Sequence, residues 1–255
     1  MPLFEYAHQY LHDFIWPLAR ISGVFMVAPV IGSAYVPVQI RMIVVLALTM
    51  IIFPSLSYPP NFDPISVFGV LMLAQEIVIG IAMGLILQLV FNAVTIAGEN
   101  IAMTMGLGFA HLSDPVNGVS IPMVSQFLTI TASMLFLSLG GHLAVVALLW
   151  NSFELLPIGS AALHEEYLQI VLWAGYMFSG AALIALPAVT ALLIANIALG
   201  LMTRVAPQMN VFSIGFPLTL MIGFMMLMLT MPSSFQVFSK LLDQAYVFIS
   251  TLLRV

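Results

Sequence analysis

Long apolar stretches alternate with short breaks rich in proline, glycine and polar residues, and the pattern predicts helices joined by loops. The first apolar run, about 8–28, encloses Arg20 and ends near Pro29 and Gly32. Pro37 and Arg41 open a second run, 40–53, which stops at Pro54. Pro54-Ser55-Leu56-Ser57-Tyr58-Pro59-Pro60-Asn61 reads as a loop. Asp63 followed by Pro64 has the character of a helix cap and first helical residue. A helix over 64–104 follows, interrupted only by single glycines. The segment from Gly106 to Pro122 then holds three glycines, two prolines and an Asp-Pro step, and no helix continues through it. Loops of that length inside compact helical proteins are commonly functional or disordered. Pro122 opens the next helix, expected as one element to about 155 and closed by Pro157 and Gly159. An arm over 164–203, kinked at Pro187, leads to a polar break at 203–210. Beyond it the pattern predicts one helix over about 211–231, a stop at Pro232-Ser233-Ser234, and a last amphipathic helix over 235–253 carrying Lys240, Asp243 and Gln244. No repeat of fixed period is visible.

Composition turns this helical pattern into a membrane-associated one. The chain is 62% hydrophobic and 6% charged, with mean hydropathy +1.16, whereas soluble domains carry about 25% charged residues. Charge-free runs cover 77–98, 115–153 and 167–203, and about 20 apolar residues suffice to span a bilayer. The expected fold is therefore all-α: polytopic, membrane-associated helical hairpins. The net charge of -5 includes no basic stripe, which argues against nucleic acid as a partner. Five Lys and Arg residues are too few to set topology by the positive-inside rule. With no cysteine, disulfides, thiolate metal sites and thiol catalysis are excluded. The N-terminus lacks the basic region of a cleaved signal peptide, so its first residues are expected to be retained.

Few residues carry chemistry. Arg204 is the only charged residue between Tyr167 and Ser239. A guanidinium in mid-membrane costs about 2.5–3.5 kcal/mol on insertion scales, so Arg204 should lie at an interface, in a wet cavity or against partner groups. Glu76 and Glu99 lie inside the 64–104 run, where an ionisable side chain is a functional candidate or a subunit contact. Glu99 should anchor the glycine-rich loop or its neighbours. His8 and His12, flanked by Glu5 and Asp13, have a spacing that can hold zinc, but no third ligand is suggested and an interfacial helix with a polar face explains them. His164-Glu165-Glu166 suits a helix start, where carboxylates complement the dipole. Met221, Met225, Met226, Met228 and Met231 crowd one helix. Thioethers favour copper(I), yet without nearby Cys or His adaptable packing is the simpler role. There is no Ser-His-Asp arrangement, phosphate loop or dinucleotide fingerprint. No metal or cofactor is expected, and a membrane enzyme would need a convergent acid–base set that is absent.

The breaks also carry a family resemblance over nearly the whole chain. Pro17, Arg20, Gly23, Ala28-Pro29 and Gly32, then Pro37 and Arg41, look like one family's opening pattern. Ala97-Gly98-Glu99, Met105-Gly106, Asp114-Pro115 and Gly118 look like its central loop. Gly140-Gly141-His142, Ser152-Phe153 and Pro157-Ile158-Gly159 follow in order. Arg204-Val205-Ala206-Pro207-Gln208-Met209-Asn210-Val211-Phe212, then Gly215-Phe216-Pro217, is the most specific element. In these features the chain resembles the FliR family, the R subunits of the type III export gate, and the Arg204–Asn210 string favours the flagellar branch over the injectisome one.

The resemblance implies a non-enzymatic subunit that lines and closes a channel for unfolded export substrates in the inner membrane, within the flagellar basal body. It implies P and Q partner subunits (FliP and FliQ), contact with FlhB, and a cone-like gate much of which stands above the membrane plane. Residues 1–163 would be a P-like part and 164–255 a Q-like hairpin. By composition alone 106–121 reads first as a surface connection. With the resemblance it is expected to plug the pore through Gly106, Leu107, Gly108, Phe109, Ala110, His111, Leu112, Asp114, Pro115 and Gly118. Glu76, Glu99, Arg204, Pro207, Gln208 and Asn210 are the expected subunit contacts. The rival reading is a secondary transporter, which shares proline-broken helices and isolated charges but would need related halves and a midplane polar cluster. Lone polar residues such as Gln88, Asn92 and Gln126 are hard to place in lipid, so the free monomer is expected to be unstable.

Overall fold

The computed structural model describes residues 2–33, 36–56, 66–107, 122–159, 167–205 and 211–254, with side chains of 2–12, 167 and 211–214 outside the description. The described elements are α1 (Pro2–Val27), α2 (Val38–Ile52) with a 3-10 turn (Phe53–Ser55), α3 (Val67–Thr104), α4 (Met123–Ser138), α5 (Gly141–Leu155), α6 (Tyr167–Val205) and α7 (Val211–Leu252). No strand occurs among the described residues. The all-α expectation holds. Among the described residues four helical segments are long and apolar enough to cross a membrane: Val38–Ser55, Val67–Thr104, Leu168–Val205 and Gly215–Leu252.

Two expected boundaries are corrected. The helix expected over 122–155 is two helices, α4 and α5, bent by 64°. Gly140 sits between them with φ +73°, a left-handed conformation that glycine adopts without a Cβ clash. The next glycine, Gly141, leaves its Cβ space to the Phe136 ring. The stop expected at Pro232-Ser233-Ser234 is absent, and α7 runs unbroken through both Pro217 and Pro232. The Ser233 and Ser234 hydroxyls donate to the Thr230 carbonyl at 2.7 and 3.0 Å. Pro232 withdraws its N–H from the Met228 carbonyl one turn earlier, while the serine hydroxyls bond the adjoining Thr230 carbonyl, a contact that bends an apolar helix without ending it. α6 likewise continues through Pro187, and Thr190 donates to the Leu186 and Pro187 carbonyls in the turn that follows.

The chain forms two compact units. The first comprises 1–89, 136–174 and 243–255, and the second 90–135 and 175–242. These units follow packing. A division at 163/164 into P-like and Q-like halves is a different matter, since it concerns likeness to partner subunits.

In the first unit α1 and α3 meet backbone to backbone. A Cβ on Gly23 would stand 2.5 Å from the Ile77 carbonyl, and one on Gly84 would stand 2.8 Å from the Val24 carbonyl. Such small-residue contacts let apolar helices approach where lipid offers no hydrophobic driving force. Trp16, Ile21, Val24, Phe25, Ile79 and Leu87 are buried around this crossing, and Trp173 stacks on Phe248 at 5.6 Å. In the second unit Gly98 of α3 admits the Ser125 backbone of α4. The Ser125 hydroxyl donates to the Thr95 carbonyl at 2.8 Å, and the Thr95 and Thr129 hydroxyls lie 3.1 Å apart. Phe91 and Phe238 meet edge to face at 5.3 Å. Much of α2, α6 and α7 remains uncovered: Ile43, Met50, Leu172, Ile194, Met221 and Met228 are all exposed.

Candidate functional site

Among the described residues three polar features bear on function. The first is a closed lock in the first unit. Arg20 of α1 is fully buried. Its Nε donates to Glu76 Oε2 of α3 at 2.6 Å. One terminal nitrogen donates to the Ser152 carbonyl at 2.8 Å and to its hydroxyl at 3.3 Å, and the other donates to the Leu156 carbonyl at 2.9 Å. The guanidinium also stands 4.4 Å from the centroid of the Phe153 ring. Ser152 and Leu156 lie at the C-terminal end of α5, where the dipole favours a cation; the Ser152 carbonyl also accepts the Leu156 N–H at 3.0 Å, and the Leu156 carbonyl lies past the last helical turn. The lock thus neutralises a buried carboxylate and caps a helix with one side chain.

The second feature is the end of α3, in the second unit. Gly106, at φ +86°, terminates the helix in a Schellman motif: Leu107 N–H donates to the Ala102 carbonyl at 3.0 Å and Gly106 N–H to the Met103 carbonyl at 3.1 Å. A side chain cannot follow this backbone without strain. The third feature is the end of α6. Arg204 lies in its last turn, exposed, where its charge suits the helix C-terminus.

Of the residues singled out from sequence, Glu76 is occupied within the chain by Arg20. Glu99 is half-buried on α3, slightly more than one turn from its end. Gly106 and Leu107 form the turn leaving α3. Gly108, Phe109, Ala110, His111, Leu112, Asp114, Pro115, Gly118, Pro207, Gln208 and Asn210 lie outside the described residues. Sequence reasoning missed the roles of Arg20, Ser152 and Phe153. The signal was present for Arg20, because a cation inside an apolar run demands a partner.

Comparison with known proteins now decides the family. The model for bacterial export proteins, family 1, matches residues 11–245. The flagellar biosynthetic protein FliR of Pectobacterium carotovorum subsp. carotovorum is 40% identical over 225 residues, covering 88% of this chain and 85% of that protein. FliR of Escherichia coli (strain K12) is 39% identical over 225 residues with the same coverage of each chain. FliR of Bacillus subtilis (strain 168) is 30% identical over 228 residues, 88% of each. The chain belongs to the FliR family of bacterial export proteins. In this FliR-family chain the lock lies within the matched region, and so do the end of α3 and Arg204. Its exposed apolar helices are those of a membrane protein, and the resemblance read from the breaks in sequence is the correct one.

Proposed function

We propose that this chain is a subunit of the flagellar type III export gate in the bacterial inner membrane, that it performs no covalent chemistry, and that it helps to line and close the channel for unfolded substrates. Its partners are the P and Q subunits, FliP and FliQ, together with FlhB and membrane lipid, and its halves 1–163 and 164–255 are P-like and Q-like. The closing element is the glycine-rich segment 106–121. Glu99, Arg204, Pro207, Gln208 and Asn210 face partner subunits, and Glu76 contributes through the lock that holds α1, α3 and α5 in register.

The observation that supports this reading is the exposed apolar surface. Spanning candidates of 38 residues are nearly twice as long as the hydrocarbon core requires, yet Leu186, Ile197, Met221 and Met228 stay uncovered along them. An apolar surface of that extent needs more than lipid to cover it, and neighbouring subunits supply the cover. Deleting 108–117 tests the closing role. Assembled complexes should form in near-normal yield, while the membrane leaks small ions. An ion permeability equal to that of the intact chain refutes the plug.

A further inference from the structure

All four terminal carbonyls of α3 are accounted for, and two of them are taken by side chains from other helices. Ala102 and Met103 are satisfied by the Schellman turn. The Thr104 carbonyl accepts from Asn196 Nδ2 of α6 at 3.3 Å. The Met105 carbonyl accepts from Thr219 Oγ1 of α7 at 3.2 Å. A helix end ordinarily leaves such groups to water or to local turns. Here both arms of the hairpin reach across to complete it.

Packing reinforces the hydrogen bonds. Met105 is fully buried, and its side chain fills the notch at Gly223 of α7, where a Cβ would stand 2.5 Å from the Met105 Cε. The Phe216 ring lies 3.5 Å from the Cβ position of Gly106. Thr219 is itself buried, and its hydroxyl donates also to the Phe216 carbonyl at 3.0 Å, so its rotamer is set by α7. A buried hydroxyl shared between two carbonyls of different helices fixes one against the other.

We infer that Asn196 and Thr219 are positioning residues: they couple the α6–α7 hairpin to the point at which the chain leaves α3. This deepens the export-gate reading, because that point is the root of the segment proposed above to close the channel. Arg204 lies on α6 about 12 Å beyond Asn196 along the helix axis. A partner that grips the hairpin end and shifts α6 or α7 would pull on the Thr104 and Met105 carbonyls. The hairpin is thereby a lever on the loop root.

The test uses the absence of native cysteine. A single cysteine, Leu107→Cys, is placed at the loop root within the assembled complex and its rate of maleimide labelling is measured. Asn196→Leu with Thr219→Val removes both donors at nearly constant volume. Labelling should accelerate about tenfold, the shift expected when one or two hydrogen bonds leave a local opening equilibrium. Thr219→Ser, which keeps the hydroxyl, should label at the original rate. A merely structural role would instead lower the yield of complex and leave the surviving complexes labelling as before. Unchanged labelling in the double variant, at normal yield, overturns the inference. If the deletion of 108–117 causes no leak, the plug reading fails, while the labelling rate still decides whether Asn196 and Thr219 position the loop root.

Discussion

Arg20 and Arg204 stand in comparable apolar helices and are treated in opposite ways. Arg20 is sealed inside the first unit, with Glu76, two carbonyls, a hydroxyl and an aromatic face around it. Arg204 stands exposed at the end of α6, and no ion pair reaches it among the described residues. The difference separates two uses of a costly charge. An internal cation whose donors are consumed holds its own chain together. An external cation keeps its planar donor fork free for something outside the chain.

The largest effect should come from opening the internal lock. Glu76→Ala leaves Arg20 buried without its counter-charge, and breaking a buried pair in this way costs about 3–5 kcal/mol. Limited proteolysis in membranes should show the first unit degraded before complex assembly. Arg20→Met combined with Glu76→Met should recover part of that loss, since no charge is stranded, although the Leu156 carbonyl loses its donor and the Ser152 carbonyl keeps only the Leu156 N–H. A double variant as fragile as Glu76→Ala would remove the electrostatic basis of the comparison.

Arg204→Ala should separate folding from assembly. The protease sensitivity of the isolated chain should not change, to within about 0.5 kcal/mol, as is general for exposed substitutions. Yield of the assembled complex should fall, by the equivalent of about 2–5 kcal/mol if the residue is desolvated by a partner. Arg204→Lys should restore only part of the yield, because an ammonium lacks the planar fork. Normal complex yield and motility in Arg204→Ala would make the two arginines alike in importance only by position, and the assembly role would be lost.

The smallest effect should come from Thr129→Val, which removes one hydroxyl from the α3–α4 contact in the second unit. The loss should be about 0.5–1.5 kcal/mol, the net worth of one ordinary hydrogen bond, read as a modest drop in the thermal midpoint of the purified complex. A loss as large as that of Glu76→Ala would mean that hydroxyl pairs, and not the charged lock, dominate stability here.

Much of this molecule is legible in its amino-acid sequence. Apolar runs of spanning length, punctuated by proline, glycine and polar strings, determine the helical class and the positions of α1, α2, α3 and α6. Those features are local: a run too apolar for water and too long for a strand is a helix wherever it packs. Gly106 as the end of α3 is legible for the same reason, since a left-handed helix cap selects glycine from within a few residues. What the sequence alone does not decide is how the breakers are used. Pro232 reads as a stop, yet α7 runs on through it, with the Ser233 and Ser234 hydroxyls bonded back to Thr230. Gly140 reads as one small residue among many, yet it bends a span by 64°. The partners of Arg20 lie 56, 132 and 136 positions away along the chain, and those of Thr104 and Met105 lie 92 and 114 positions away. Periodicity carries no information across such separations. An unsatisfied guanidinium or carbonyl announces in sequence only that a partner must exist, and the packing of the helices selects which residue it is.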